Sequence, residues 1–172
     1  MTQRTFQAAI LLAAVSWLGA CNSPTSSTPE LEVTLTASPS PAIASGPTGV
    51  QYKVTNADDT VSLYEYDYRT SFTVTIQETG GMGLDITALD LKVQQATGGI
   101  VITPSGGDQV YFKFNSSAVT NHVNAKGSAD VGFDVWYDLP NAGREALVTV
   151  GFTFQDDDDN TYSQTLQVKV AP

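Results

Sequence analysis

The 172 residues hold 18 Asp and Glu against 8 Lys and Arg, a formal net charge of −10, with one His and one Cys. That balance repels phosphate backbones and excludes a nucleic-acid binder; the lone Cys excludes an internal disulfide and the lone His a multi-histidine metal site. Hydrophobic residues at 41% are too many for a disordered acidic chain and suit one domain with a tail.

Residues 1–20 read as an address. Arg4 and the amino terminus make a thin positive start, and Ala8 to Leu18 is an almost unbroken apolar run. About eleven apolar residues are too few to cross a bilayer, which needs roughly twenty, but they match the apolar core of an export signal. Leu18-Gly19-Ala20-Cys21 follows at once and uses the only Cys of the chain. It resembles the bacterial lipobox, in which small residues before an invariant Cys permit lipidation and cleavage. The resemblance implies a thioether-linked diacylglyceryl group on Cys21, with a further acyl chain on the freed amine. Two or more chains anchor a protein stably where one does not. Asn22, in place of the Asp that retains enterobacterial lipoproteins at the inner membrane, implies the outer membrane of a Gram-negative cell.

Residues 21–30 (CNSPTSSTPE) are polar with two prolines, the composition of a flexible tether. From 31 to 172 period-two alternation dominates, the mark of strands with one face in a core and one in water. Leu31, Val33, Leu35 and Ala37 share one face. A Pro/Ser/Gly stretch from Ala37 to Gly49 reads as a surface loop or a break in an edge strand. Val50, Tyr52 and Val54 resume the pattern, and Tyr64, Tyr66, Tyr68, Phe72, Val74 and Ile76 extend it as one long stretch. Ile86 and Ala88 have the opposite parity to Leu89, Leu91 and Val93, which predicts a bulge, or else a strand buried on both faces. Val110, Phe112 and Phe114 follow, then Val131, Phe133, Val135 and Tyr137. Ala146, Val148, Val150, Phe152 and Phe154 oppose a polar face, and Tyr162, Leu166, Val168 and Val170 close the chain. The last two segments form a hairpin about Asp156 to Asn160.

Such short strands, parted by Gly, Asn, Asp and Pro clusters, predict an all-β sandwich of about seven to nine strands. Over 31–172 the pattern resembles the Ig-like domains of bacterial surface lipoproteins, which implies an antiparallel sandwich. It has no Cys pair, and Trp136 shares the parity of Asp134 and Asp138, away from the core face.

Four features bear on chemistry. His122, in Asn121-His122-Val123-Asn124, has no Gly-x-Ser-x-Gly turn to serve and reads as a loop residue. The glycine clusters at 79–83 and 97–99 lack the Lys-Ser/Thr of a phosphate loop and read as turns. Asp156, Asp157, Asp158, Asp159 and Asn160 gather oxygen ligands suited to calcium, although the spacing is not that of an EF-hand; the plainer expectation is a solvated turn. Trp136, Tyr64, Tyr66 and Tyr68 offer aromatic faces that would stack on a glycan or seat a partner. The expectation is a non-enzymatic lipid-anchored envelope protein whose Ig-like domain contacts another envelope or extracellular protein. The alternatives are a glycan or calcium module and, more remotely, a hydrolase using paired carboxylates.

Overall fold

The structure, a computed structural model, describes residues 30–98, 101–102, 110–116, 121–139 and 145–172. The expected signal peptide, Cys21 and the expected tether up to residue 29 lie outside the described residues, as do Gly99 and Ser117 to Thr120.

Among the described residues twelve strands run β1 (Val33–Ser38), β2 (Ala42–Ser45), β3 (Gln51–Thr55), β4 (Val61–Glu65), β5 (Tyr68–Glu78), β6 (Leu84–Gln95), β7 (Val101–Ile102), β8 (Val110–Ser116), β9 (His122–Val123), β10 (Ser128–Tyr137), β11 (Ala146–Asp156) and β12 (Thr161–Ala171). One layer has the order β1–β5–β10–β8 and the other β7–β6–β11–β12. With β1, β5, β10 and β8 as strands A, B, E and D, and β6, β11 and β12 as C, F and G, this is the Ig-like arrangement.

The expected seven to nine strands are exceeded for definable reasons. The first edge strand is split: Pro39 to Pro41 end β1, and β2 then pairs antiparallel with β5 and parallel with β12, so the sandwich is not purely antiparallel. The β3–β4 hairpin is an appendage, and β7 and β9 are two-residue additions to β6. The expected long run through Tyr64 to Ile76 is two strands, because the chain leaves β4 at Tyr66 and Asp67 and re-enters as β5.

Alternation puts Phe72 and Phe133 from one layer against Phe152 and Phe154 from the other, all buried. Phe133 meets Phe152 edge-on across the sandwich at 6.2 Å, while Phe72 stacks on Phe133 at 5.3 Å. The parity change in β6 is a bulge: Thr153 faces Ala88 and Phe154 faces Ile86, leaving Thr87 without an opposite residue. That extra residue keeps Ile86, Leu91 and Val93 all on the core side.

The registers define two poles. At one, Val33 faces Glu78 and Leu84 faces Asp156, so the N-terminal approach at Glu30 lies with turns 79–83, 124–127 and 157–160. At the other, Ser45 faces Arg69 and Tyr137 faces both Tyr68 and Val110, and there the β3–β4 hairpin is inserted.

Glu78 locks the first pole. Although 1% exposed, its carboxylate accepts from Gly81 N at 2.8 Å and Lys126 N at 2.7 Å, tying two turns together. Burial alone raises its pKa, but the backbone N–H groups of Lys126, Gly81, Met82 and Gly80 outweigh that and hold it below the usual value.

Candidate functional site

The outer face of β1, β5, β10 and β8 is built in rows by register. Arg69, Trp136 and Tyr111 form one row, Ser71, Asp134 and Lys113 the next, and Ser38, Thr73, Gly132 and Asn115 the third. The first row is tall. The Arg69 guanidinium lies 5.1 Å from the Trp136 ring centre, Tyr111 packs on that ring at 5.4 Å, and Lys113 Nζ sits 5.8 Å over it. The other rows are short, and above them opens a cavity of about 530 Å3 lined by Ser38, Thr73, Lys113, Asn115, Gly132 and Asp134 among others.

Asp134 is the central charged group of this face. Its Oδ1 accepts from the Ser71 hydroxyl and from Arg69 Nη2, the latter at 2.6 Å. Those hydrogen bonds, with the positive charges of Arg69 and Lys113, outweigh desolvation and hold its carboxyl below the usual range.

The four aromatics expected to form a binding cluster do not converge. Trp136 does point away from the core, as parity requires, but the Arg69, Tyr111 and Lys113 side chains cover it to 8% exposure. Tyr68 faces inward against Tyr137 at 5.6 Å. Tyr66 is buried with its ring centre 4.6 Å from Tyr52. Tyr64 alone remains open, on the β3–β4 hairpin, where Tyr52 stacks beside it at 5.8 Å. A three-tyrosine stripe requires one continuous strand, and the turn at Tyr66 and Asp67 removes it.

Asp138, just beyond β10, ties the hairpin to the sandwich. Asp138 accepts the Tyr52 hydroxyl and, at 2.7 Å, Asp67 N. Burial first, and then the Asp138 charge and hydrogen bond, push the Tyr52 hydroxyl well above its ordinary pKa.

The acidic turn closes on itself. Asp156 is buried, and its Oδ1 accepts from Asp158 N at 2.9 Å and Asn160 N at 2.8 Å, while its Oδ2 accepts the Tyr162 hydroxyl at 2.9 Å. Asp159 has a φ of 65°, which Asp tolerates in turns, and accepts from Gln155 Nε2. Burial raises the Asp156 pKa, but these donors more than offset it and the carboxyl is held low. Asp157 turns instead toward Gly83 and His122. No grouping of three or more His, Cys, Asp or Glu side chains suited to a metal ion occurs among the described residues.

Asp156 is thus an acceptor for its own turn, which predicts that the melting temperature stays the same in about 1 mM calcium and in chelator, where a ~10 μM site would add about 2.7 kcal/mol. Asp156→Ala should lower the melting temperature equally in both buffers. A calcium-dependent rise abolished by Asp157→Asn/Asp158→Asn would instead establish a cation site.

His122 is not in an open loop: it lies in β9, with Nδ1 2.8 Å from Asp85 Oδ1. The pair fastens β9 to β6, and no hydroxyl or thiol is hydrogen-bonded to the ring among the described residues.

No family model matches the chain, and no curated protein matches it. Two solved structures overlap it broadly: a structural-genomics target, SoR45 (11% identity, 83% of this chain and 86% of that one, TM-score 0.44), and a Bordetella pertussis protein assigned as ApaA (10% identity, 82% and 94%, TM-score 0.43). At those scores neither informs the reading of the site. No helix among the described residues is long and apolar enough to cross a membrane.

Proposed function

We propose that this chain is an exported, lipid-anchored envelope protein whose Ig-like sandwich contacts another envelope or extracellular protein, without catalysis. The observation that carries the contact is the β3–β4 hairpin. An isolated two-stranded hairpin is marginally stable, and this one leaves Val61 at 60%, Leu63 at 58% and Tyr64 at 48% exposure. Val61 and Leu63 share one face of β4 and Tyr64 takes the other beside Tyr52; large apolar side chains left open on both faces of an appended element favour a docking surface.

Its position supports the same reading. The hairpin lies at the pole opposite Glu30, so a tether from a lipidated Cys21 would hold it away from the membrane. Asp58, Asp59, Glu65 and Asp67 border it with only Lys53 to balance them, favouring a partner with basic residues around an apolar patch. The lipobox resemblance, the export signal and Asn22 support the anchor and the outer membrane as its place.

Two experiments test the two halves. Metabolic labelling with palmitate should mark the wild-type chain and not Cys21→Ser; label retained by the variant overturns the anchor. A photo-crosslinking amino acid at position 63 of the full chain, in cells, should give one discrete protein adduct that the same group at Gln167 does not. Identical patterns from both positions overturn the hairpin contact.

A further inference from the structure

The bowl on the outer face of β1, β5, β10 and β8 has a composition that the fold does not demand. We propose that it is a binding site for a neutral saccharide.

The first argument is Gly132. A glycine inside a strand weakens it, because it adds backbone entropy to the unfolded chain and packs nothing. Gly132 lies in the middle of β10, with no left-handed backbone to justify it, and a Cβ built there would meet only Asn115 O, at an ordinary 3.7 Å. Neither conformation nor crowding requires glycine. What its absent side chain provides is depth, directly beside Thr73 and Asn115, in a cavity of about 530 Å3. That volume lies within the roughly 300–1,000 Å3 typical of ligand sites.

The second argument is the unused hydrogen-bonding capacity around that depth. Both bonds to Asp134 end on Oδ1, and Oδ2 has no hydrogen-bond partner among the described residues. The side chains of Asn115, Thr73 and Ser38 likewise make no hydrogen bond there, and Lys113 lies beside them with its ammonium over aromatic rings. The bowl therefore offers carboxylate and amide oxygens as acceptors, and an amide, two hydroxyls and an ammonium as donors.

Charge selects among ligands. An anion would face Asp134 and a chain of net charge −10; a cation would face Lys113 and Arg69. A neutral molecule rich in hydroxyls, each both donor and acceptor, satisfies the whole set. Pro39 adds apolar lining for the C–H face of a sugar ring. This inference uses none of the hairpin residues, so either can fail without the other.

The test is saturation-transfer NMR and calorimetry on the full chain in detergent micelles, with maltotriose, cellotriose, chitotriose and laminaritriose as probes. At least one should bind with a dissociation constant of about 1 mM or tighter. Gly132→Val should fill the bowl and weaken that binding at least about tenfold while the melting temperature stays equal or rises, since a β-branched residue suits an open strand position. Asn115→Ala should weaken it without altering the melt. No binding of any of the four sugars overturns the proposal, as does binding that Gly132→Val leaves unchanged. A strong loss of stability in Gly132→Val would assign the glycine to the fold and overturn its main argument. Preference for a Ser/Thr-rich peptide over every sugar would assign the bowl to a protein partner.

Discussion

Phe152→Ala should destabilise the chain by about 3–5 kcal/mol, read as a lower urea midpoint with an unchanged slope. The ring is 1% exposed at the centre of the sandwich. It stacks parallel on Phe154 at 5.8 Å and receives Phe133 from the opposite layer edge-on at 6.2 Å. Removing it forfeits the transfer free energy of the ring and leaves a cavity that two sheets, each locked by its own ladder, cannot collapse to fill. Leu63→Ala provides the contrast: a side chain of similar apolarity but 58% exposed should cost no more than about 0.5 kcal/mol. Equal midpoints for Phe152→Ala and the wild type would overturn the assigned core face.

Glu78→Ala should cost about 2–4 kcal/mol by a different route, the orphaning of buried backbone donors rather than the loss of apolar contact. The N–H groups of Gly81 and Lys126 have no acceptor other than Glu78 among the described residues, and both turns at the N-terminal pole depend on them. The effect is also pH-dependent. Because the folded state holds this carboxyl below its ordinary value of 4.5, the unfolded chain takes up its proton first as acid is added. The stability contributed is therefore complete above about pH 4.5 and is lost as pH falls through the lower folded value. Asp134 and Asp156 are shifted in the same direction and add to the same acid limb. Urea midpoints between pH 7 and pH 3 should fall steeply for the wild type and less steeply for Glu78→Gln. An identical pH profile in the two proteins would remove Glu78 from that role.

Strand alternation was legible because it is local. A side chain's parity within its own strand decides which face it takes, so the core residues of β5, β10 and β11 could be read directly from residues two apart. A bulge in β6 was legible for the same reason, since one extra residue reverses the parity of everything after it, although the break falls at Thr87 and leaves Ala88 exposed rather than on the face of Ile86. The β11–β12 hairpin followed from Asp and Asn between two alternating runs. By contrast, Trp136 was misplaced because parity gives a direction, not an exposure, and Tyr66 because the chain leaves the strand there. What covers Trp136 is Arg69 and Tyr111, two strands that reach it only through sheet pairing.

The amino-acid sequence by itself determined the all-β class, most strand faces, the bulge and the final turn, and it alone carries the apolar run and the lipobox resemblance on which the proposed anchor rests. Only the tertiary structure decided that Asp156 serves its own turn, that Glu78 ties its own turn to one at Lys126, 48 residues on, and that Ser38, Thr73, Gly132 and Asn115 stand in one row. The physical reason is that neighbours across a sheet are set by register between distant segments. A row of four residues drawn from four strands leaves no spacing in the chain by which it could be recognised.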